Sequence, residues 1–511
     1  MLAKIYSGAV YGVDAYPVEI EVNAGHGDPS VVIVGLPDTA VKESKDRVHT
    51  AINNSGFRLH AGRTTINLAP ADIKKEGPCF DLPIAIGMLA TQDNLPAEKL
   101  RDYAMVGELA LSGEVRRIKG VLPIALSVKK SGRLGFLVPA DNAEEAAVVK
   151  GLNVFPVHNL REAAEFLAGK TVIEPYAVDI DQTFCIPAEH EDDFIDVKGQ
   201  EVAKRAAEIA ATGGHNLLLI GAPGTGKSMI ARRIASILPP MTLDEALEST
   251  KIHSIAGTLA SHQALVVRRP FRSPHHTISD AGLLGGGSHP MPGEVSLAHR
   301  GVLFLDEIPE FHRSVLEVLR QPLEEGRVTI SRAAATVTFP CQFMLVAAMN
   351  PCACGYYGDP KRECRCKPTQ VQNYRNKISG PLLDRIDLHV EVPSVRYQDL
   401  SGIAPGDSSA TIRARVVQAR NLQQERFKYL KRIHNNAAMR TKEIQKFCQL
   451  GTDSQTVLKM AMTELNFSAR AYDRIIKVAR TIADLEGTDH IQSHQMQEAI
   501  QYRTLDRELW V

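Results

Sequence analysis

A strand followed by a glycine loop that ends in lysine and serine lies near the middle of the 511-residue chain. The strand is Leu217–Ile220, and the loop reads Gly221, Ala222, Pro223, Gly224, Thr225, Gly226, Lys227 and Ser228. Glycines let the backbone fold around phosphates with its N–H groups inward, at the start of a helix whose dipole favours anions. We predict that Lys227 reaches the β- and γ-phosphates and that Ser228 binds Mg²⁺. The segment therefore predicts an ATP-binding P-loop.

Two further strands end in residues that suit phosphoryl transfer. The apolar run 302–305 ends in Asp306 and Glu307, so we predict Asp306 as the metal residue and Glu307 as the general base. The apolar run 343–349 ends in Asn350, a candidate to align the attacking water. Arg385 lies between two acids at 384 and 387. The ordered series favours an arginine finger inserted into a neighbouring subunit, and the alternative for Arg385 is an ordinary surface ion pair.

These motifs, with the stretches 269–279 and 292–307 and the run Asn350-Pro-Cys, resemble the magnesium-chelatase-like branch of the AAA+ ATPases, and within it the ComM/YifB type. The resemblance spans nearly the whole chain. It implies a ring, usually a hexamer, with each ATP shared between subunits. It also implies a sensor arginine on a helical lid, which Arg470 matches.

Composition and length fit a soluble enzyme of several parts. At 511 residues the chain is too long for one core and predicts about three domains. The formal net charge of +0 means that a nucleic-acid partner would have to be bound by local patches. The N-terminus lacks a signal-like pattern and no apolar run approaches a membrane span, so we expect a cytoplasmic protein with 8 reduced cysteines.

The first 170 residues alternate strand-like runs with amphipathic helices at 38–55 and 83–90. The segments around Cys79 and 106–123 resemble the Lon-type protease domain, which implies a ribosomal-S5-domain-2-like α+β fold. That family has serine where Cys79 stands and a catalytic lysine near Leu122. Because leucine cannot act as a base, we predict a domain that is not proteolytic and that contacts DNA or protein. Cys79 acting alone as a nucleophile is the alternative.

Four cysteines form two close pairs, Cys352 with Cys354 and Cys364 with Cys366. Four thiols in a cytosolic chain suit a tetrahedral zinc site, although a single residue between the members of each pair is less usual than two. Free thiols in a surface loop are the alternative. Arg362 and Arg365 lie in the same loop and are candidates for DNA contact, or equally for subunit contact.

Several other elements bear on function. The run 327–339 predicts a hairpin, and Arg332 is a candidate phosphate contact because related ring helicases project a hairpin here into the pore. We predict helices at 314–323 and 411–434, the second strongly basic and either a solvated face or a phosphate-tracking surface. The lid helix should be capped by Ser468, carry Arg470 in its first turn and bury a stripe that includes Tyr472. His275 and His276 lack a third ligand and do not predict a metal site.

The predicted fold class is α/β and multidomain. The predicted boundaries are a Lon-like domain at 1–170, a linker at 171–193, an AAA+ core at 194–393, a linker and basic helix at 394–435, and a helical lid at 436–511. We predict an ATP- and Mg²⁺-dependent homohexameric motor. The resemblance implies a DNA helicase or branch-migration translocase that serves transformation and recombination. A chelatase motor subunit and a Lon-like unfoldase or peptidase are the alternatives.

Overall fold

A computed structural model describes residues 2–59, 62–92, 95–96, 98–180, 184, 192–260, 263–287, 290–332, 336–394, 406–430, 433–465 and 467–505. The chain forms two compact units that interleave along the sequence. The first unit contains 1–187, 243–267 and 331–339, and the second contains 188–242, 268–330 and 340–511. Part of the predicted linker at 171–193, namely residues 181–183 and 185–191, lies outside the described residues.

The first unit is built on a mixed seven-stranded sheet. Its first two strands, Leu2–Tyr11 and Asp14–Gly25, form an antiparallel hairpin, and parallel strands extend the sheet beyond Leu2–Tyr11. Every residue of the helix Asp81–Ala90 is buried, so this helix is the centre of the core. In sheet order the strands are Ser30–Val34, Arg63–Ala69, Asp14–Gly25, Leu2–Tyr11, Tyr103–Met105, Gly135–Pro139 and Asn153–Val157.

Helices cover this sheet much as the hydrophobic pattern predicts. The predicted helix 38–55 is Thr39–Asn54, because the Asp38 carboxylate caps it by accepting the Val41 N–H at 2.7 Å. With its mixed sheet and these helices, the first unit has an α+β fold, in agreement with the prediction. Its helices are Thr39–Asn54, Asp81–Ala90, Val121–Lys130, Ala143–Ala147, Leu160–Leu167 and Leu243–Ala256.

The second unit contains a five-stranded parallel sheet. The three central strands are buried along their whole length, which is why they read as continuous apolar runs. The carboxyl ends of parallel strands meet at one edge, and ligands of open α/β sheets bind there. In sheet order the strands are Phe271–Arg272, Val302–Leu305, Met344–Met349, Leu217–Ile220 and Leu388–Glu391.

The helices of the second unit pack on this sheet and form a helical region after it. A single hydrophobic core joins sheet residues such as Val346 to lid residues such as Ile476. Of the helices that the structure describes, none is both long and apolar enough to cross a membrane. The helices are Glu201–Gly213, Lys227–Ile237, Asp280–Leu284, Glu294–Leu297, Arg313–Val318, Arg320–Glu325, Pro368–Arg375, Gly380–Leu383, Ser409–Phe427, Thr441–Phe447, Thr452–Glu464, Ala469–Leu485 and Ser493–Gln501.

Three short two-stranded pairs lie outside the two larger sheets. The strands Arg327–Ser331 and Thr336–Pro340 pair with each other, which confirms the predicted hairpin, although its tip at 333–335 lies outside the described residues. The other pairs are Glu108–Leu109 with Val115–Arg116, and Gly285–Gly286 with Met291–Pro292.

The structure corrects three helix predictions. The predicted helix 314–323 is two helices, Arg313–Val318 and Arg320–Glu325, since Pro322 has no N–H to continue the first. The predicted basic helix 411–434 is Ser409–Phe427, and the predicted members at 431 and 432 lie outside the described residues. Tyr472 is 40% exposed and does not belong to the buried stripe, whereas Ile475 and Ile476 of the same helix are buried.

Candidate functional site: a nucleotide-binding edge of the parallel sheet

The P-loop joins the strand Leu217–Ile220 to the helix Lys227–Ile237, as predicted. The Lys227 ammonium donates to the carbonyls of Gly221 at 2.7 Å and Ala222 at 2.9 Å. Gly221 cannot be replaced without moving the backbone, because a Cβ there would lie 2.4 Å from the Val392 carbonyl oxygen. The loop is thus closely packed against the sheet, with its lysine held at the sheet edge.

A serine and a carboxylate come together beside the loop. The Ser228 hydroxyl donates to Asp306 Oδ2 at 2.6 Å, and the Glu307 N–H donates to Asp306 Oδ1 at 3.0 Å. Mg²⁺ prefers hard oxygen ligands, usually one or two protein side chains together with phosphates and water. Ser228 and Asp306 fit that requirement, and they are the side chains that would hold the ion of an ATP–Mg²⁺ complex.

Glu307 has a backbone conformation that separates it from the strand. Its φ of 50° lies in the left-handed region, which is uncommon for a residue with a side chain. The residue is exposed, whereas the four strand residues before Asp306 are buried. Such outliers concentrate at functional sites, and this one turns the carboxylate away from the sheet core.

Asn350 follows the strand Met344–Met349 and lies beside the P-loop lysine. Its Oδ1 accepts a hydrogen bond from Lys227 at 3.1 Å. Burial lowers the pKa of Lys227, while the negative charges of Asp306 and Glu307 oppose that effect. The structure therefore brings together Lys227, Ser228, Asp306, Glu307 and Asn350, all of which sequence reasoning assigned to one site.

The two predicted catalytic arginines form a second cluster. Arg385 is 5% exposed, and its guanidinium contacts Glu324 and the Pro381 carbonyl. Arg470 lies in the first turn of the lid helix Ala469–Leu485, 63% exposed, with Nη1 3.6 Å from Asp384. Both guanidinium groups thus pair with acids outside the P-loop, and Arg385 also donates to a backbone carbonyl. A role for Arg385 across a subunit interface would require it to leave Glu324.

A buried ion pair connects the lid helix to the sheet. The Arg474 guanidinium contacts the carboxylate of Asp387, which also accepts the Asn216 N–H at 3.0 Å and lies 3.4 Å from His215 Nδ1. Burial opposes ionisation of Asp387, but Arg474 and His215 outweigh it and hold the pKa of this carboxyl well below its usual range. The pair fixes the lid helix against the strand that begins at Leu388.

The four cysteines of the loop after Asn350 converge. Sγ of Cys352 lies 3.3 Å from that of Cys354 and 3.7 Å from that of Cys364, and the last two are 3.6 Å apart. With Cys366 included, all four sulfurs lie within 4.8 Å of one another. A backbone hydrogen bond at Tyr356 lowers the pKa of the Cys354 thiol to about 6. The donor set, four sulfurs at one point, is one that zinc prefers.

The candidate DNA contacts lie at exposed positions. Arg332 follows the first hairpin strand, and Arg362 and Arg365 lie in the cysteine loop. The Arg362 guanidinium donates to the Tyr356 hydroxyl at 2.7 Å and lies 5.1 Å from the centre of its ring. This pairing presents a cation and an aromatic face together, which suits nucleic-acid strands.

The basic helix is less available for phosphate than its composition indicates. Several of its arginines bind acids or carbonyl groups of the same unit, so they stabilise the fold. The basic surface that the described part of this helix offers to a partner is therefore smaller than its sequence indicates. The internal pairs are Arg415 with Glu208 at 2.5 Å, Arg420 with the Thr212 carbonyl at 3.0 Å, and Arg426 with Asp484 at 2.5 Å.

Cys79, the alternative nucleophile of the first unit, lies in the short 3-10 helix Pro78–Phe80. Burial and the charge of Asp81 raise the pKa of its thiol to about 12. Leu122, near which the resemblance places the lysine of a protease, is buried, and its N–H donates to Glu145 Oε1 at 2.9 Å. A protonated thiol is a poor nucleophile, which disfavours the peptidase alternative.

Sequence reasoning missed three residues that hold the P-loop or its neighbours in place. Gln200 donates to the Thr225 carbonyl at 3.3 Å, and the buried Tyr374 hydrogen-bonds the backbone of Asn350. Gly355 of the cysteine loop packs on Pro223 of the P-loop. All three act through long-range contacts with no local signature, although the left-handed backbone that Gln200 adopts marks it as a special position.

A parallel sheet that carries a P-loop, an Asp-Glu pair and an asparagine at one edge, with a helical region after it, defines a nucleotide-binding protein of the AAA+ class. The chain belongs to the magnesium-chelatase-like family that includes the YifB and ComM proteins. The family model described as magnesium chelatase, subunit ChlI, matches residues 193–400, and its C-terminal counterpart matches 406–503. A third, described as subunit ChlI of Mg-chelatase, matches 20–142.

Full-length relatives support this assignment. YifB of Escherichia coli (strain K12) is 46% identical over 99% of this chain and 98% of its own length. Competence protein ComM of Haemophilus influenzae is 45% identical over 99% of this chain and 98% of its own. A more distant relative, the magnesium-chelatase 38 kDa subunit of Cereibacter sphaeroides, is 27% identical over 40% of this chain and 59% of its own.

Proposed function

We propose that this protein is an ATP-driven ring motor that moves DNA strands or branches. The observation that carries the proposal is the convergence of Lys227, Ser228, Asp306 and Asn350 at one sheet edge. Phosphoryl transfer needs mainly positioning and charge stabilisation, and these residue types supply both. Mg²⁺ held by Ser228 and Asp306 would neutralise charge on the β- and γ-phosphates.

Within this site the residues divide the work of hydrolysis. Lys227 binds the β- and γ-phosphates, Asn350 orients the attacking water, and Glu307 accepts its proton. Arg385 would reach the γ-phosphate of an adjacent subunit, and Arg470 would contact nucleotide from the lid of its own subunit. Because Arg385 would act on the site of an adjacent subunit, the proposed assembly is a hexameric ring with shared ATP sites. The proposed location is the cytoplasm.

DNA is the proposed substrate because one full-length relative is named a competence protein, and because Arg332, Arg362 and Arg365 are exposed. The proposed role is in natural transformation, which the word competence in that name supports, and in homologous recombination. The cation–aromatic pair of Arg362 and Tyr356 adds a surface on which a base can stack.

A chelatase motor subunit is the second candidate, favoured by the similarity to the magnesium-chelatase 38 kDa subunit. Both candidate functions use the same ATP site, but they differ in the partner that should raise the ATPase rate. The test is the steady-state ATPase rate alone, with single-stranded, duplex and branched DNA, and with a chelatase partner complex. We expect DNA to stimulate the rate. Stimulation only by the chelatase complex would replace the proposal with the second candidate.

A further inference from the structure

The cysteine loop has the dimensions of a metal site. Three of its Sγ–Sγ distances are 3.3, 3.6 and 3.7 Å. Tetrahedral zinc with bonds of about 2.3 Å to each thiolate requires sulfurs about 3.8 Å apart. The sulfurs thus already lie at nearly the spacing of a closed four-thiolate site, without another residue being needed to complete the ligand set.

The loop is attached to the catalytic asparagine at one end. Cys352 is 0% exposed and comes two residues after Asn350. Between them, the Pro351 carbonyl accepts a hydrogen bond from Arg375 Nε at 3.1 Å. The Arg375 guanidinium also lies 5.0 Å from the centre of the Tyr357 ring. The first half of the loop is therefore anchored, and its second half returns to it through Cys364 and Cys366.

The same loop rests on the P-loop. Gly355, which is buried and has a φ of 89°, approaches Pro223 so closely that a Cβ would lie 2.6 Å from the proline Cδ and 2.7 Å from Cγ. Pro223 lies between Ala222, whose carbonyl binds Lys227, and Gly224. A displacement of Gly355 therefore acts on the backbone that is proposed to surround the phosphates.

We propose that Cys352, Cys354, Cys364 and Cys366 bind one zinc ion, and that the metal holds Gly355 against Pro223, so that zinc occupancy sets the nucleotide affinity of the P-loop. The coupling rests on the proposed ATP site, whereas the metal site stands independently of it. A loop this short has little core of its own, so metal binding supplies the free energy that orders it. Release of zinc lets the loop withdraw and leaves Pro223 without its support.

The test measures zinc content by elemental analysis and the Kd of a fluorescent ATP analogue in parallel. Purified protein should contain about one zinc per subunit, as four thiolates imply. Replacing Cys364 and Cys366 by serine should remove the metal and weaken nucleotide binding about fivefold or more, a size usual for coupling between sites. Gly355→Ala should keep the zinc and weaken nucleotide binding to a similar degree.

Gly358→Ala is the matched control. Gly358 lies in the same loop with a similar φ of 77°, but a Cβ there would meet no atom of the described residues within 4 Å. This variant should keep both zinc and nucleotide affinity. If the double serine variant does not fold, removing zinc from the wild-type protein with a chelator and restoring it should weaken and then recover nucleotide binding.

Metal-free protein, or iron with sulfide in place of zinc, would overturn the zinc site. Wild-type affinity in the zinc-free protein, or in Gly355→Ala, would overturn the coupling. If the wild-type protein binds no nucleotide and Lys227→Ala is indistinguishable from it, the proposed ATP site fails, while zinc content still decides the metal site.

Discussion

The Lys227 ammonium and the Asn350 side chain are joined by a hydrogen bond of 3.1 Å across two neighbouring parallel strands. The two residues are 123 positions apart in the sequence, and they meet because the strands that precede them pair in parallel, with Ile220 opposite Met349. One hydrogen bond thus joins the cation proposed to bind phosphate to the amide proposed to orient water. Hydrolysis can then be tested one residue at a time around this pair.

Glu307→Gln should bind ATP normally and lose turnover by about 10²- to 10⁴-fold, the usual contribution of a general base. The amide keeps the size of the side chain but cannot accept the proton of water. Single-turnover hydrolysis and nucleotide Kd measure the two effects separately. The control is Glu310→Gln, which removes a nearby exposed carboxylate whose ion pair with Lys377 spans 3.4 Å and should change little. Near-normal hydrolysis by Glu307→Gln would remove it from the mechanism.

Mixing subunits tests whether Arg385 acts across an interface. Lys227→Ala and Arg385→Ala proteins should each be inactive, while their mixture should recover part of the ATPase rate. A mixed interface can pair an intact P-loop with an intact finger. Co-assembly is checked with differently tagged subunits. If confirmed mixed assemblies never exceed either parent, Arg385 stabilises its own subunit through Glu324 and is not a finger.

Asp387→Asn should destabilise the second unit by about 3–5 kcal/mol, because it leaves the Arg474 guanidinium without its buried anion. Chemical denaturation at pH 7 measures the loss. Glu425→Gln is the control: Glu425 is exposed and its ion pair with Lys428 spans 3.6 Å, so its free energy of unfolding should change by less than about 1 kcal/mol.

The same residue predicts a pH dependence. The folded-state pKa of Asp387 lies below its unfolded value of about 3.9, so the unfolded chain binds the proton more readily. Its contribution to stability is therefore complete above about pH 4 and falls as the pH drops further towards the folded-state pKa. Asp387→Asn lacks this carboxylate, so its free energy of unfolding should not show this part of the decrease at acid pH. If the difference in free energy of unfolding between the wild-type protein and Asp387→Asn stays the same from pH 7 to pH 3, the lowered pKa of Asp387 is contradicted.

Arg332→Ala and Arg362→Ala should weaken DNA binding across sequences, and each should reduce the slope of log affinity against log salt by about 1. Phosphate contacts release counterions, so the slope reports their number. Arg327→Ala is the control for the hairpin, because Arg327 pairs with Glu325 at 3.0 Å at the start of the same strand. Equal salt slopes for all three variants and the wild-type protein would show that these arginines do not contact phosphate.

Much of the fold of the second unit follows from local sequence. Three apolar runs each end in a chemically distinctive residue, and parallel pairing then forces Gly221, Asp306 and Asn350 to a common edge. The Ser468 cap likewise marks its helix to within a residue or two, and the Asp38 cap does the same in the first unit. These features were predictable because each depends on periodicity or capping chemistry within one segment.

Contacts between distant segments were not predictable in the same way. Charge alone could not show that Arg420 is buried against the Thr212 carbonyl, because an exposed and a buried arginine look alike in a sequence. Nor could composition show that Gly355 packs on Pro223. Such contacts are set by tertiary packing, and they determine how much of a charged helix or loop remains free for a partner.

The measurement that tests the central claim most directly is ATP-dependent movement of a labelled branched DNA, followed by gel or fluorescence, with wild-type and Glu307→Gln proteins. We predict that the wild-type protein resolves the branch only when ATP and Mg²⁺ are present. Glu307→Gln should bind the same DNA and leave it unresolved. An ATPase rate that no DNA stimulates, together with branched DNA that the wild-type protein neither binds nor moves, would contradict the account.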